Sequence, residues 1–187
     1  YVVPLLFFAV MGGIFTSVNP AAKDTLIQSM TVMGVSMGAL IGLPPSLVEI
    51  YASDIKNAYK ANGVPLYLGL VSMYLSAFIH LMIMIGIIYV TAPLVFDAAL
   101  PEHPLFYFGM LAVFIAVSLG IGSVLGLAMK NQAKLTMVSQ LIFLPSIMLS
   151  GIMFPVDLLP GLFRNLGNMV PATWGYRLMS DTSFTFG

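Results

Sequence analysis

The sequence predicts an all-α fold, a polytopic bundle of membrane-spanning helices, on three observations. Of the 187 residues, 59% are hydrophobic and 7% are charged, against roughly 25% charged in an average soluble domain. A soluble globule this poor in charge has almost nothing to place on its surface. Lipid is the solvent that makes such a surface stable, and the mean hydropathy of +1.01 agrees. Second, the apolar residues fall in continuous runs that approach the roughly 20 residues a spanning helix needs. Third, these runs do not alternate with period two, which argues against a β-barrel.

Residues 1–16 read as a partial first span. The chain opens at Tyr1 inside that apolar run, with no charged leader and no small-residue cleavage site. No signal peptide is read there, and a truncated N-terminus is expected. A polar patch from Ser17 to Thr25 follows, with Asn19-Pro20 as its breaker and Lys23 offset by Asp24. The second span covers 26–48 and is expected to end near Pro44 and Pro45, which cannot continue a regular helix unbroken. Residues 49–65 are the most polar stretch. Further spans are read at 66–92, 105–129 and 135–154, separated by an acidic loop (Asp97, Glu102) and a basic one (Lys130, Lys134). The tail, 155–187, is too broken by proline and glycine for one clean span. No internal repeat emerges, and 1–187 reads as a single transmembrane domain.

Lysine sets the orientation. If the spans alternate, Lys56, Lys60, Lys130 and Lys134 share one face, and Asp97, Glu102 and Asp157 the other. The positive-inside rule makes the lysine face cytoplasmic, so 49–63 and 130–134 are expected inside and the protein multi-pass in the cell membrane. Arg164 is an exception in an external loop.

Three features could carry mechanism. Gly34, Gly38 and Gly42 form a doubled GxxxG, and Gly122 and Gly126 repeat the spacing in the fourth span. Such seams let backbones approach closely; they read either as a sliding contact or as ordinary tight packing. Residues 49–63 read as an amphipathic helix, with Tyr51, Ile55 and Tyr59 recurring every four residues and Glu49, Asp54, Lys56, Asn57 and Lys60 as its polar positions. Asp54 in the first turn and Lys60 in the last suit the helix dipole. Gly63 then supplies a C-terminal cap and Pro65 a stop. This helix either docks a partner or lies in the headgroups. His80 and Gln140 are the polar groups deepest in the spans, candidates for a polar path or for single interhelical hydrogen bonds.

Other chemistries lack their constellations. With no cysteine and two histidines, His80 and His103, no thiolate or HExxH metal site can form, so no metal ligands are assigned. No P-loop pattern and no pair of intramembrane aspartates occurs, so this chain is not read as an enzyme. Seven basic residues balance seven acidic ones without a polybasic run, so nucleic acid is excluded as a partner. A secondary transporter or channel without an ATPase stays open, although it would need intramembrane charges for ion coupling. A membrane scaffold is compatible with the composition.

The segment ending Leu149-Ser150-Gly151-Ile152-Met153-Phe154-Pro155, followed by Pro160 and then Asn168-Met169-Val170-Pro171, resembles the signature of the type-2 ABC transporter membrane domains. That resemblance implies six spans, of which about five are present here, and an external re-entrant element at 155–172 leading toward a last span. It makes Ser150, Gly151, Phe154, Pro155 and Pro171 an external gate motif and 49–63 a coupling helix. It implies a permease subunit of an ATP-driven exporter that binds no cofactor itself. ATP and Mg would sit on a cytoplasmic ABC ATPase subunit, and a second permease chain would complete a homo- or heterodimer surrounded by membrane lipid.

Overall fold

The computed structural model describes residues 2–18, 20–152 and 160–180. Every regular element among them is helical. In chain order these are α1 (Val2–Val18), a 3₁₀ turn (Pro20–Asp24), α2 (Leu26–Met37), a π turn (Gly38–Gly42), α3 (Leu43–Tyr51) and α4 (Ile55–Ala61). Then come α5 (Leu66–Phe96), α6 (Pro104–Ala128), α7 (Gln132–Leu149), α8 (Gly161–Gly167) and α9 (Pro171–Ser180). Among the described residues, four helices are long and apolar enough to cross a membrane, Leu26–Tyr51, Leu66–Phe96, Pro104–Ala128 and Gln132–Leu149, beside the shorter apolar helix at Leu5–Val18. The protein is an all-α polytopic bundle.

One helix is its hub. In Leu26–Tyr51, 78% of the most apolar window is buried, against 28% for α5 and for α7. The peripheral helices therefore turn much of their apolar surface outward: Leu75, Ile79, Ile83 and Val90 of α5, and Leu141 and Leu144 of α7, are exposed. In water such a surface would drive aggregation; in hydrocarbon it costs nothing. The hub instead buries polar side chains, among them Gln28, Ser29, Thr31 and Ser36. Hydrogen bonds among the described residues tie neighbouring helices together across the bundle. Thr31 Oγ1 and Tyr107 Oη lie 2.6 Å apart, and Tyr74 Oη donates to the Ala116 carbonyl at 2.7 Å.

The hub does not end at Pro44-Pro45. It runs on to Tyr51, and the two prolines sit in the first turn of α3 directly after the π turn. A proline ring in a regular helix collides with the carbonyl four residues back and removes an amide. Here the Leu43 amide reaches five residues back, to the Gly38 carbonyl. The wider turn accommodates the rings, so the helix continues where a strict α-helix would break.

Alternation of the long helices puts the 20–25 and 97–103 loops at one end, and two contacts join them. The Ala99 amide donates to the Lys23 carbonyl at 3.1 Å, and Lys23 Nζ lies 3.6 Å from Asp97 Oδ2. Lys23 thus pairs across the loops with Asp97, which caps α5 in the left-handed region at φ 56°. Residues 52–65 and 129–131 lie at the other end.

The last two helices fold back into the bundle. Pro171 and Ala172 share a cavity with Ser118, while Gly175, one turn on, packs against Phe114, one turn back on α6. Helix α9 therefore runs antiparallel to α6, from mid-bundle toward the end where α6 begins. Residues 171–180 thus pack back along the first half of α6.

Candidate functional site

Two regions collect the residues that the sequence singles out: the 49–63 segment at one end, and the glycine seams with the loop tip at mid-bundle.

At the end, the 49–63 segment is split. Helix α3 runs to Tyr51, Ala52–Asp54 make a bend, and α4 begins at Ile55. The Ser53 hydroxyl donates to the Glu49 carbonyl and closes the bend. Asp54 caps α4 through its carbonyl, which accepts from the Asn57 and Ala58 amides at 3.0 Å each. The exit of α4 is a Schellman motif. The Gly63 amide bonds to the Lys60 carbonyl at 3.3 Å, and the Val64 amide to the Tyr59 carbonyl at 2.9 Å. That geometry needs the φ of +68° that Gly63 adopts.

The bend divides the apolar stripe. Tyr51 and Tyr59 converge on Gly69 in the first turn of α5, where an added Cβ would meet Tyr59 Cε2 at 3.2 Å and Tyr51 Oη at 3.3 Å. The Tyr51 hydroxyl also donates to the Leu66 carbonyl at 2.5 Å. These two rings clamp the segment to the spanning helices. Ile55 falls outside the clamp and is exposed, with Glu49, Asp54, Asn57 and Lys60, while Lys56 is half-buried. The outcome is a short, capped, charged projection held at two points.

At mid-bundle the glycines form two seams, on different partners. Gly34 and Gly38 face α5: a Cβ on Gly34 would lie 2.9 Å from Met84 Cε, and one on Gly38 2.5 Å from Leu81 Cδ2. Gly122 and Gly126 face the hub. A Cβ on Gly122 would overlap the Ala39 carbonyl oxygen, and one on Gly126 would lie 2.9 Å from the Pro44 carbonyl oxygen. Gly42 joins neither seam, its nearest neighbour being the Met37 carbonyl at 4.0 Å. The π turn rotates it off the face that Gly34 and Gly38 share. The Ala39 carbonyl is available to Gly122 for a related reason. Its regular donor, the Leu43 amide, is engaged by Gly38, and the next residue is Pro44.

Of the residues that the resemblance reads as an external gate, Ser150, Gly151 and Pro171 are described, whereas Phe154 and Pro155 lie outside the described residues. Ser150 is fully buried and donates to the Ile147 carbonyl at 2.7 Å. Gly151 turns the chain at φ +89°. Gly167, at the end of α8, abuts Leu149, so close that a Cβ would lie 2.8 Å from its carbonyl oxygen. The tip between α8 and α9 is closed by Thr173 Oγ1 donating to the Gly167 carbonyl (2.6 Å) and Trp174 Nε1 to the Asn168 carbonyl (2.8 Å). Pro171 opens α9.

His80 and Gln140 are both on the outer surface of the bundle. His80 Nδ1 donates to the Ser76 carbonyl of its own helix at 2.6 Å. Among the described residues no cluster of three or more His, Asp or Glu could hold a metal.

The sequence did not signal the cavity of about 40 Å³ at mid-bundle, lined by Ser36, Ser118, Ser146, Leu40, Pro171 and Ala172 among others. Its serines come from three helices far apart in sequence. The local clue was the Pro44-Pro45 pair, which forces an irregular turn nearby.

No curated protein and no solved structure matches this chain. The sequence model of the ABC-2 type transporter family matches residues 1–184, nearly the whole of a chain that folds as an all-α bundle of long apolar helices. The chain is therefore a multi-pass membrane protein of the ABC-2 type transporter family.

Proposed function

We propose that this chain is the permease subunit of an ATP-driven exporter, that it forms the substrate path with a second permease chain, and that it couples to a separate cytoplasmic ATPase through residues 49–61. ATP and Mg bind on that partner, and this chain contributes no catalytic group. The observation that carries the reading is the projection at the lysine-bearing end. Glu49, Asp54, Asn57 and Lys60 face outward from a segment that Tyr51 and Tyr59 lock to α5. A push on a segment so fixed moves a spanning helix and is not absorbed by a loose loop. The same segment continues the hub helix, whose π turn and glycine contacts with α5 and α6 give two discrete places for helices to re-pack. Coupling over distance needs such an element, with an equilibrium that both ends bias.

The membrane in question is the cell membrane, with 49–63 and 130–134 on the cytoplasmic side by the positive-inside rule. Ion-driven transport without an ATPase is disfavoured, because α5 and α6 carry no charged residue and Lys134 and Glu49 lie only at the ends of their helices. The test is a set of single substitutions, Asp54→Ala, Lys56→Ala and Lys60→Ala, in the full-length protein reconstituted with its ATPase. Reduced ATPase association and reduced ATP-dependent export are expected. Unchanged association and export in all three would remove the docking role.

A further inference from the structure

The mid-bundle cavity is mostly apolar, with Leu40, Ile121, Ile142, Pro171 and Ala172 in its wall, but three serines also line it. Ser36 and Ser118 are 3% and 4% exposed. Both line the cavity, and neither hydroxyl has a hydrogen-bond partner among the described residues. Ser146 Oγ donates to the Ile142 carbonyl at 2.5 Å and keeps its lone pairs free to accept. Leu40, one turn after Ser36, also lines the cavity. Its carbonyl lacks the donors a helix supplies, because the residues four and five positions later are Pro44 and Pro45. Ala172 stands in the first turn of α9, where amides have no acceptor within the helix. Hydroxyl-bearing side chains of the hub, α6 and α7 thus line one space.

That space lies deep. Ser36 is ten residues into the helix that starts at Leu26, about 15 Å along it, and Ser118 is fourteen residues into α6, about 21 Å along. A volume near 40 Å³ has room for about two water molecules. An anion would need a fixed positive charge, and no Lys, Arg or His lines the cavity. An apolar occupant would leave the hydroxyls orphaned in hydrocarbon, which is costly. Water is neutral, fits, and can both donate and accept.

We propose that this cavity is a water site, in which ordered water bridges Ser36, beside the π turn of the hub, and Ser118 of α6. The hub and α6 are then joined by a hydrogen-bonded node that can re-form as either one moves. This site does not depend on what the chain transports or on which partner drives it.

Radiolytic hydroxyl-radical footprinting of the full-length protein in lipid nanodiscs tests the site, since radicals made from bound water label the residues beside it. Leu40 is expected to label promptly although it is buried, and Ser118→Val to cut that labelling at least five-fold while exposed Leu141 labels as before. In thermal unfolding, Ser36→Ala and Ser118→Ala should each lower Tm, with the double variant little below the worse single one because both act on the same water. Should Ser118→Val fail to fold, Ser36→Ala, which only removes an oxygen atom, carries the same reading. Absence of Leu40 labelling in the unmodified protein, or a Tm raised by Ser118→Val, would mean a dry cavity and overturn the proposal.

Discussion

Gly122 shows how much one hydrogen atom in place of a methyl group can decide. Its α-hydrogens face the Ala39 carbonyl of the hub, and a Cβ would overlap that oxygen. Backbone cannot yield as a flexible side chain can. Gly122→Ala should therefore lower stability by about 1–3 kcal/mol, measured by thermal unfolding in detergent. Gly120, two residues earlier, has nothing within 4 Å of its Cβ position. Gly120→Ala should be neutral, or gain up to about 1 kcal/mol from helix propensity. The spacing of small residues was legible in the sequence, but it could not say which glycine touches what. Gly42 shared the motif and lost its contact because the π turn intervenes. A second prediction concerns the buried Thr31–Tyr107 pair. Tyr107→Phe leaves the Thr31 hydroxyl without its partner and should cost about 1–2 kcal/mol. Adding Thr31→Val to that variant should recover part of the loss. Nothing local in the sequence links two residues 76 apart, so this pair was legible only after folding.

At the level of elements, the sequence read α5 and α6 well because each is a long apolar run bounded by breakers. It read the hub less well. Pro44 and Pro45 promised a stop, and the π turn converted the stop into a continuation by opening the ring-bearing turn. The 49–63 stretch carried a helical stripe, yet the bend at Ala52–Asp54 breaks it, so that Tyr51 and Tyr59 pack and Ile55 does not. Periodicity reports that faces differ; it does not detect a three-residue interruption sealed by one serine hydroxyl. The cap at Gly63, by contrast, was readable, since a left-handed residue followed by proline is a local signal. Gly63→Ala forces a side chain into φ +68° at a cost of about 1–2 kcal/mol. That cost should appear locally. Amides of 55–64 are expected to exchange faster with deuterium, with little change in the unfolding temperature of the spanning helices.

Over the whole molecule, the composition already named the solvent, and the order of spans and loops placed the two ends. The sequence also carried the family, in residues 149–171, and the match over residues 1–184 bears that out. The path of α8 and α9 was not legible. Direction through a bundle is a matter of contacts, here Ala172 level with Ser118 and Gly175 with Phe114, and no pattern along the chain encodes them. In the proposed function, the capped projection at 49–61 transmits force from a separate ATPase into the hub helix. The most direct test is affinity purification of the full-length protein in mild detergent, with mass spectrometry of what accompanies it. A stoichiometric P-loop ATPase that is lost when 51–60 is mutated is expected. A clean preparation with no ATPase, under conditions that preserve other membrane complexes, would contradict it.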